Sequence, residues 1–196
     1  MQKKPRIGIF IVIALIIIIG SYFLFFQKNS PIGDLRGIFS GKTYSEDVSS
    51  LVLDMSELPE GYRIAERTPR LKSDISELGI DWGWIEGYYI RYIKGNEDNI
   101  FDVSAIGLSI SRYPLKNVSN GIDNSYEYEG YTAEKLPNPN IGEGSAATRY
   151  TDNSSGLRSY RIEFYKKDIY VTFDNEGATT DYELLRELAK KISDKI

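Results

Sequence analysis

Residues 7–26, IGIFIVIALIIIIGSYFLFF, form an uncharged run of 20 residues, 17 of them apolar. As a helix rising about 1.5 Å per residue it would be roughly 30 Å long, the thickness of the hydrocarbon core of a bilayer. A soluble core helix carries a polar edge, and this run has none. It therefore predicts an N-terminal transmembrane helix. Signal-peptide apolar regions run about 7 to 15 residues and end at a small-x-small site. Here Gly20 and Ser21 are followed by a second apolar block, Tyr22 to Phe26, which predicts an uncleaved signal anchor.

The flanking charges set the orientation. Lys3, Lys4 and Arg6 precede the run, whereas Lys28 is the one basic residue between it and the first acid, Asp34. The positive-inside bias keeps residues 1–6 in the cytoplasm and sends the C-terminal part outside, at the cell surface. Residues 1–30 hold four basic groups and no acids, so the rest carries 20 basic against 28 acidic residues, net −8. That sign disfavours nucleic acid and anionic headgroups as partners.

Composition removes much chemistry. The chain has no Cys and no His. Disulfides, thiolate or His-ligated metal sites, Cys nucleophiles and Ser-His-Asp catalysis are excluded. Carboxylates, Lys, Tyr, Ser and Thr are left, and neither a cofactor nor a metal is expected. Gly142-Glu143-Gly144-Ser145 lacks the third glycine of a dinucleotide loop and the Lys of a P-loop, so it reads as a turn before a strand. Glu127 and Glu129 would share a strand face, as an acid/base pair requires, but among interleaved tyrosines they read as a solvated surface. Asn96, Glu97, Asp98, Asn99 and Asp102 offer oxygen ligands without EF-hand spacing, and read as a hydrophilic hairpin tip.

Residues 27–47 break every period with Gly, Ser, Pro and charge, and read as a linker. An extracytoplasmic domain then spans 48–196, large enough to bury a core. In it, 87–95 and 103–113 alternate as strands, with a hairpin loop at 95–99. Residues 157–174 alternate twice around a turn at Lys166-Lys167-Asp168, with Tyr160, Ile162, Phe164 and Ile169, Val171, Phe173 forming the apolar sides. Residues 181–195 read as a helix, with Thr180-x-x-Glu183 as capping box and Leu184, Leu185, Leu188 and Ile192 on one side. A helical turn is expected near 73–78 and a weaker helix somewhere in 116–129. The fold class is α+β, an antiparallel sheet packed against helices.

The order LPEGY (58–62), GWIEGYYIRYIKG (83–95), SRYP (111–114), LPNPNIGEGSAATRY (136–150), YRIEFYKKDIYVTF (160–173) and a C-terminal amphipathic helix resembles the PsbP-like α-β-α extracytoplasmic modules. The resemblance covers residues 50–196. It implies an α-β-α sandwich, non-enzymatic and often membrane-tethered, that binds proteins or small ligands. It assigns no site residues.

Tyrosine is the positive anomaly. Fourteen of 15 lie beyond residue 30, and Trp82, Trp84, Tyr88, Tyr89 and Tyr92 crowd into eleven residues. Such rings supply rigid contact area at low entropic cost, which makes these five the candidate surface for a protein partner or small ligand. Asn117 and Asn153 begin glycosylation sequons on the exported side. The function expected is a membrane-anchored extracytoplasmic interaction module and not an enzyme. A pilin-like subunit of a surface filament and a small-solute-binding domain are the alternatives.

Overall fold

The computed structural model describes residues 43–96, 99, 102–122, 128–177 and 180–196. The chain divides into two units, Met1–Ser40 and Gly41–Ile196, and the described residues belong to the second. Residues 7–26, expected to form the transmembrane helix, lie outside the described residues. Among the described residues no helix is long and apolar enough to cross a membrane.

Seven strands form one antiparallel sheet: β1 (Arg63–Pro69), β2 (Glu86–Lys94), β3 (Ser104–Arg112), β4 (Tyr131–Lys135), β5 (Gly144–Asp152), β6 (Arg158–Lys166) and β7 (Ile169–Gly177). Their order is β1-β2-β3-β7-β6-β5-β4. Two meanders, β1 to β3 and β4 to β7, are thus sewn together where β7 pairs with β3. Successive side chains alternate between faces, so the register fixes what each face presents.

One face is apolar. Ile90, Leu108, Phe173, Ile162 and Ala147 stand opposite one another across five strands and are all buried. Two elements cover them. The helix Tyr182–Lys195 packs on β6 and β7, and the segment 48–58, with its 3-10 turns, packs on β2 and β3. The helix buries Leu185, Leu188, Ala189 and Ile192, spaced three, one and three residues apart as one side of an α-helix demands. Burying each large aliphatic side chain contributes about 1.5–3 kcal/mol. The two covers are joined by Lys195, whose Nζ donates to Val52 O (2.9 Å) and Glu57 Oε2 (2.7 Å).

Among the described residues the opposite face carries no long helix, only the short helix Glu77–Asp81 and the 3-10 turn Val118–Gly121 toward one end, which corrects the expected α-β-α sandwich. The domain is a largely antiparallel β structure with one substantial helix on one side. The described part of the expected second helix, 116–129, is a 3-10 turn, Val118–Gly121. The physical reason lies in the strands themselves. Arg91, Ser109, Thr172, Asp174 and Arg161 stand on the other side, where the small cluster of Ile93, Val103 and Ala105 offers too little apolar surface to seat a helical stripe.

Local signals elsewhere resolve in detail. The helix is capped by Asp181, whose carboxylate accepts from Glu183 N (2.9 Å) and Leu184 N (3.1 Å), rather than by Thr180. A short helix, Glu77–Asp81, lies where a helical turn was expected, capped by Ser76. Ordered structure reaches back into the expected linker. Tyr44 is buried, its N–H donates to Asp168 Oδ1 (2.7 Å), and Arg112 donates to its carbonyl (2.7 Å).

Candidate functional site

The register lines up Glu66, Arg91, Gly107, Asp174, Arg161, Thr148 and Lys135 across all seven strands of the uncovered face. Cross-strand neighbours of opposite charge stabilise such a surface, and here Glu66 faces Arg91 as Asp174 faces Arg161. Arg161 Nε lies 2.6 Å from Asp174 Oδ1, and Arg91 Nη2 lies 3.3 Å from Glu176 Oε1. Between the two pairs sits Gly107, where the missing side chain leaves a depression.

That depression is the middle of a groove. A cavity of about 350 Å³ lies over Gly107 and the two ion pairs. It shares Arg91, Tyr131 and Glu176 with a cavity of about 400 Å³ toward Ala105 and Gly177. It shares Tyr128, Arg161 and Asp174 with one of about 340 Å³ toward Ser109 and Ser111. Because Ala105, Gly107, Ser109 and Ser111 alternate along β3, the three follow the strand direction.

Aromatic rings form the walls. Arg161 Nη1 donates to Tyr128 Oη (3.1 Å), and the guanidinium carbon sits 5.8 Å from the Tyr128 ring centre and 5.7 Å from that of Tyr150. Cation–π attraction at these distances fixes the rings in place. Tyr128 and Tyr150 themselves meet edge-on, 5.4 Å between centres. Burial at the groove raises the Tyr89 hydroxyl above its ordinary value, with Glu66 adding to the shift. Desolvation likewise raises the Asp174 carboxyl, against the opposing pull of Arg161. The floor is therefore a set of fixed donors and acceptors in partly dehydrated surroundings. Among the described residues no group of three acidic side chains is placed to hold a metal ion.

The five aromatic residues expected to form one surface are divided between the two faces. Tyr89 lies in the groove and Trp82 lines its far end. Trp84 Nε1 donates to Ser111 Oγ on the same side (3.3 Å). Tyr88 packs against the core and accepts from Arg67 Nε (3.0 Å). Tyr92 is 0 % exposed, and its hydroxyl donates to Leu53 O (2.7 Å). Asn117 is half-buried with Nδ2 donating to Trp82 O (2.8 Å), whereas Asn153 is exposed and accepts from Thr132 Oγ1 (2.7 Å). Glu97, Asp98 and Glu127 lie outside the described residues. Gly142-Glu143-Gly144-Ser145 is a turn into β5. Gly142 has φ +66°, a Cβ there would run into the Tyr165 carbonyl, and Ser145 Oγ donates to Asn138 Oδ1 (2.7 Å).

Sequence reasoning did not single out Arg91, Tyr128, Tyr131, Tyr150, Arg161 or Asp174. Apart from Tyr128, which precedes β4, their one signal was the polar half of each strand's alternation.

No family model matches the chain, and no curated protein matches it. The chain is similar in structure to the extracellular domain of PknH from Mycobacterium tuberculosis, at a TM-score of 0.57 and 11% identity over 80% of this chain and 98% of that one. At that identity the likeness is one of fold.

Proposed function

We propose that the chain is an extracytoplasmic binding module, held at a membrane through the apolar run 7–26 with its N-terminus in the cytoplasm, that takes a ligand in the groove along β3, β7 and β6. The observation that carries this reading is the uncovered face. A sheet that buries one side under a helix leaves the other for solvent or for a ligand, and here Gly107 and two ion pairs shape it into a cavity of ligand size. The fold shared with an extracellular domain supports the placement outside the cell. Net −8 beyond residue 30 argues against nucleic acid. The role is binding rather than catalysis, because the central carboxylates Asp174 and Glu176 are each engaged by an arginine and act as fixed acceptors.

The test is a screen of uncharged and charged small-molecule fragments against the isotope-labelled full chain in a non-glycosidic detergent. Amide shifts are expected to cluster at Arg91, Gly107 and Asp174. They should vanish in Gly107→Trp, which fills the cavity; a Cβ at 107 meets nothing closer than 3.5 Å, so the backbone accepts it. Shifts scattered over the surface, or unaltered by the substitution, would remove the groove reading. Protease shaving of intact cells tests the topology, since a domain as protected as a cytoplasmic control would contradict it.

A further inference from the structure

We infer that the ligand of this groove is a neutral oligosaccharide, lying along the strands with sugar rings on Tyr128 and Tyr131; the inference rests on the groove being the binding site.

Three features of the cavity select the chemistry. The first is charge balance. Over the central cavity two arginines, Arg91 and Arg161, face two carboxylates, Glu176 and Asp174, already paired with each other. An anion would have to displace the carboxylates and a cation the guanidiniums, so no net charge is favoured in the ligand. The second is polarity. An apolar ligand would strip water from both pairs without replacing its hydrogen bonds, which costs more than the apolar contact returns. Hydroxyl groups, in contrast, donate to carboxylates and accept from guanidiniums, and both kinds of charge-assisted bond are strong.

The third is the placement of exposed rings. Tyr131, 46% exposed, stands where the central cavity meets the one toward Gly177, and Tyr128, 44% exposed, where it meets the one toward Ser111. Two platforms spaced along a groove of three cavities suit a chain of several rings, each offering an apolar face to a tyrosine and its hydroxyl edge to the floor. A peptide could not use this floor as a strand partner. β3, β7 and β6 are paired on both sides, so their main-chain groups are occupied, and strand addition needs a free edge.

The experiment uses the full chain in a non-glycosidic detergent, titrated calorimetrically and by NMR with maltohexaose, cellohexaose, mannohexaose and chitohexaose. An uncharged Gly-Ser-Asn hexapeptide is run beside them. At least one saccharide is expected to bind with Kd on the order of 0.1 mM, shifting the Gly107 and Asp174 amides. Tyr131→Ala and Tyr128→Ala should each weaken it about tenfold, with Tyr131→Phe staying within roughly twofold because the ring remains. Melting temperatures should be unchanged in the Tyr131 variants, whose ring is exposed.

Saccharide binding indifferent to both alanine substitutions would overturn the inference, as would tyrosine-dependent binding of the hexapeptide in place of the sugars. If none of the four sugars binds while fragments still shift the groove, the oligosaccharide is wrong and the binding site stands. If neither sugars nor fragments shift it, both readings fall.

Discussion

Arg161 on β6 and Asp174 on β7 stand directly opposite each other in register, Nε to Oδ1 2.6 Å, at the centre of the uncovered face. The pair carries more than its own charge, because the same guanidinium donates to Tyr128 and lies over the rings of Tyr128 and Tyr150. It sets both the floor and one wall of the groove.

Replacing Arg161 with Met removes the group that opposes desolvation of Asp174. The Asp174 carboxyl, already raised by burial, should titrate higher still, as followed by carboxyl NMR. The stability loss should be modest, about 1 kcal/mol, since the Asp174 side chain is 43% exposed. An unchanged Asp174 midpoint would mean that the pair does not govern this carboxyl.

Tyr92→Phe should destabilise the domain by about 1–3 kcal/mol in chemical denaturation, because the buried Leu53 carbonyl loses its donor. Fragment shifts in the groove should be unaltered. Tyr89→Ala, on the other face, is expected to do the reverse, changing groove shifts with a small effect on stability.

The helix cap separates two neighbouring residues. Asp181→Ala should cost about 1 kcal/mol, whereas Thr180→Ala should fall within about 0.5 kcal/mol of the parent. Equal losses in the two thermal melts would contradict the cap assigned to Asp181.

The β5–β6 turn supplies a pH dependence. Asp152 accepts from Ser154 Oγ (2.6 Å), Ser155 N (2.8 Å) and Ser154 N (2.8 Å), which lowers its carboxyl to about 2. The folded value lies below the unfolded one, so its contribution is present above the ordinary carboxylate range. It is lost as pH falls from 3.8 toward about 2. Ser154→Ala should raise the Asp152 midpoint in an NMR titration and bring turn opening to higher pH.

Much of this architecture is legible in local pattern. Ile106, Leu108 and Ile110 against Ser109 and Ser111 announce a strand with two unlike faces, and β3 runs over those residues. Leu185, Leu188 and Ile192 likewise mark the helix. The aromatic cluster shows where local pattern stops. The period of two separates Tyr89 from Tyr88 and Tyr92, but which of the two sides is buried depends on the layer that covers it: Tyr92 enters the core and Tyr89 the groove. Thr180 reads as the helix cap in sequence, whereas the backbone geometry gives that role to Asp181.

By itself the sequence determined the strands flanking the β6–β7 turn, the helix that covers them, the apolar run 7–26 and the exclusion of Cys and His chemistry. These depend on residue types and on spacing within a few residues. The tertiary structure decided that β7 lies between β3 and β6, which places Asp174 beside Gly107 and opposite Arg161. It also decided that, among the described residues, the polar face of the sheet carries only short turns toward one end. Period-two alternation says that a strand has a polar side. Whether another layer covers that side depends on apolar surface supplied by distant segments, and here the helix and residues 48–58 both bury theirs against the same face.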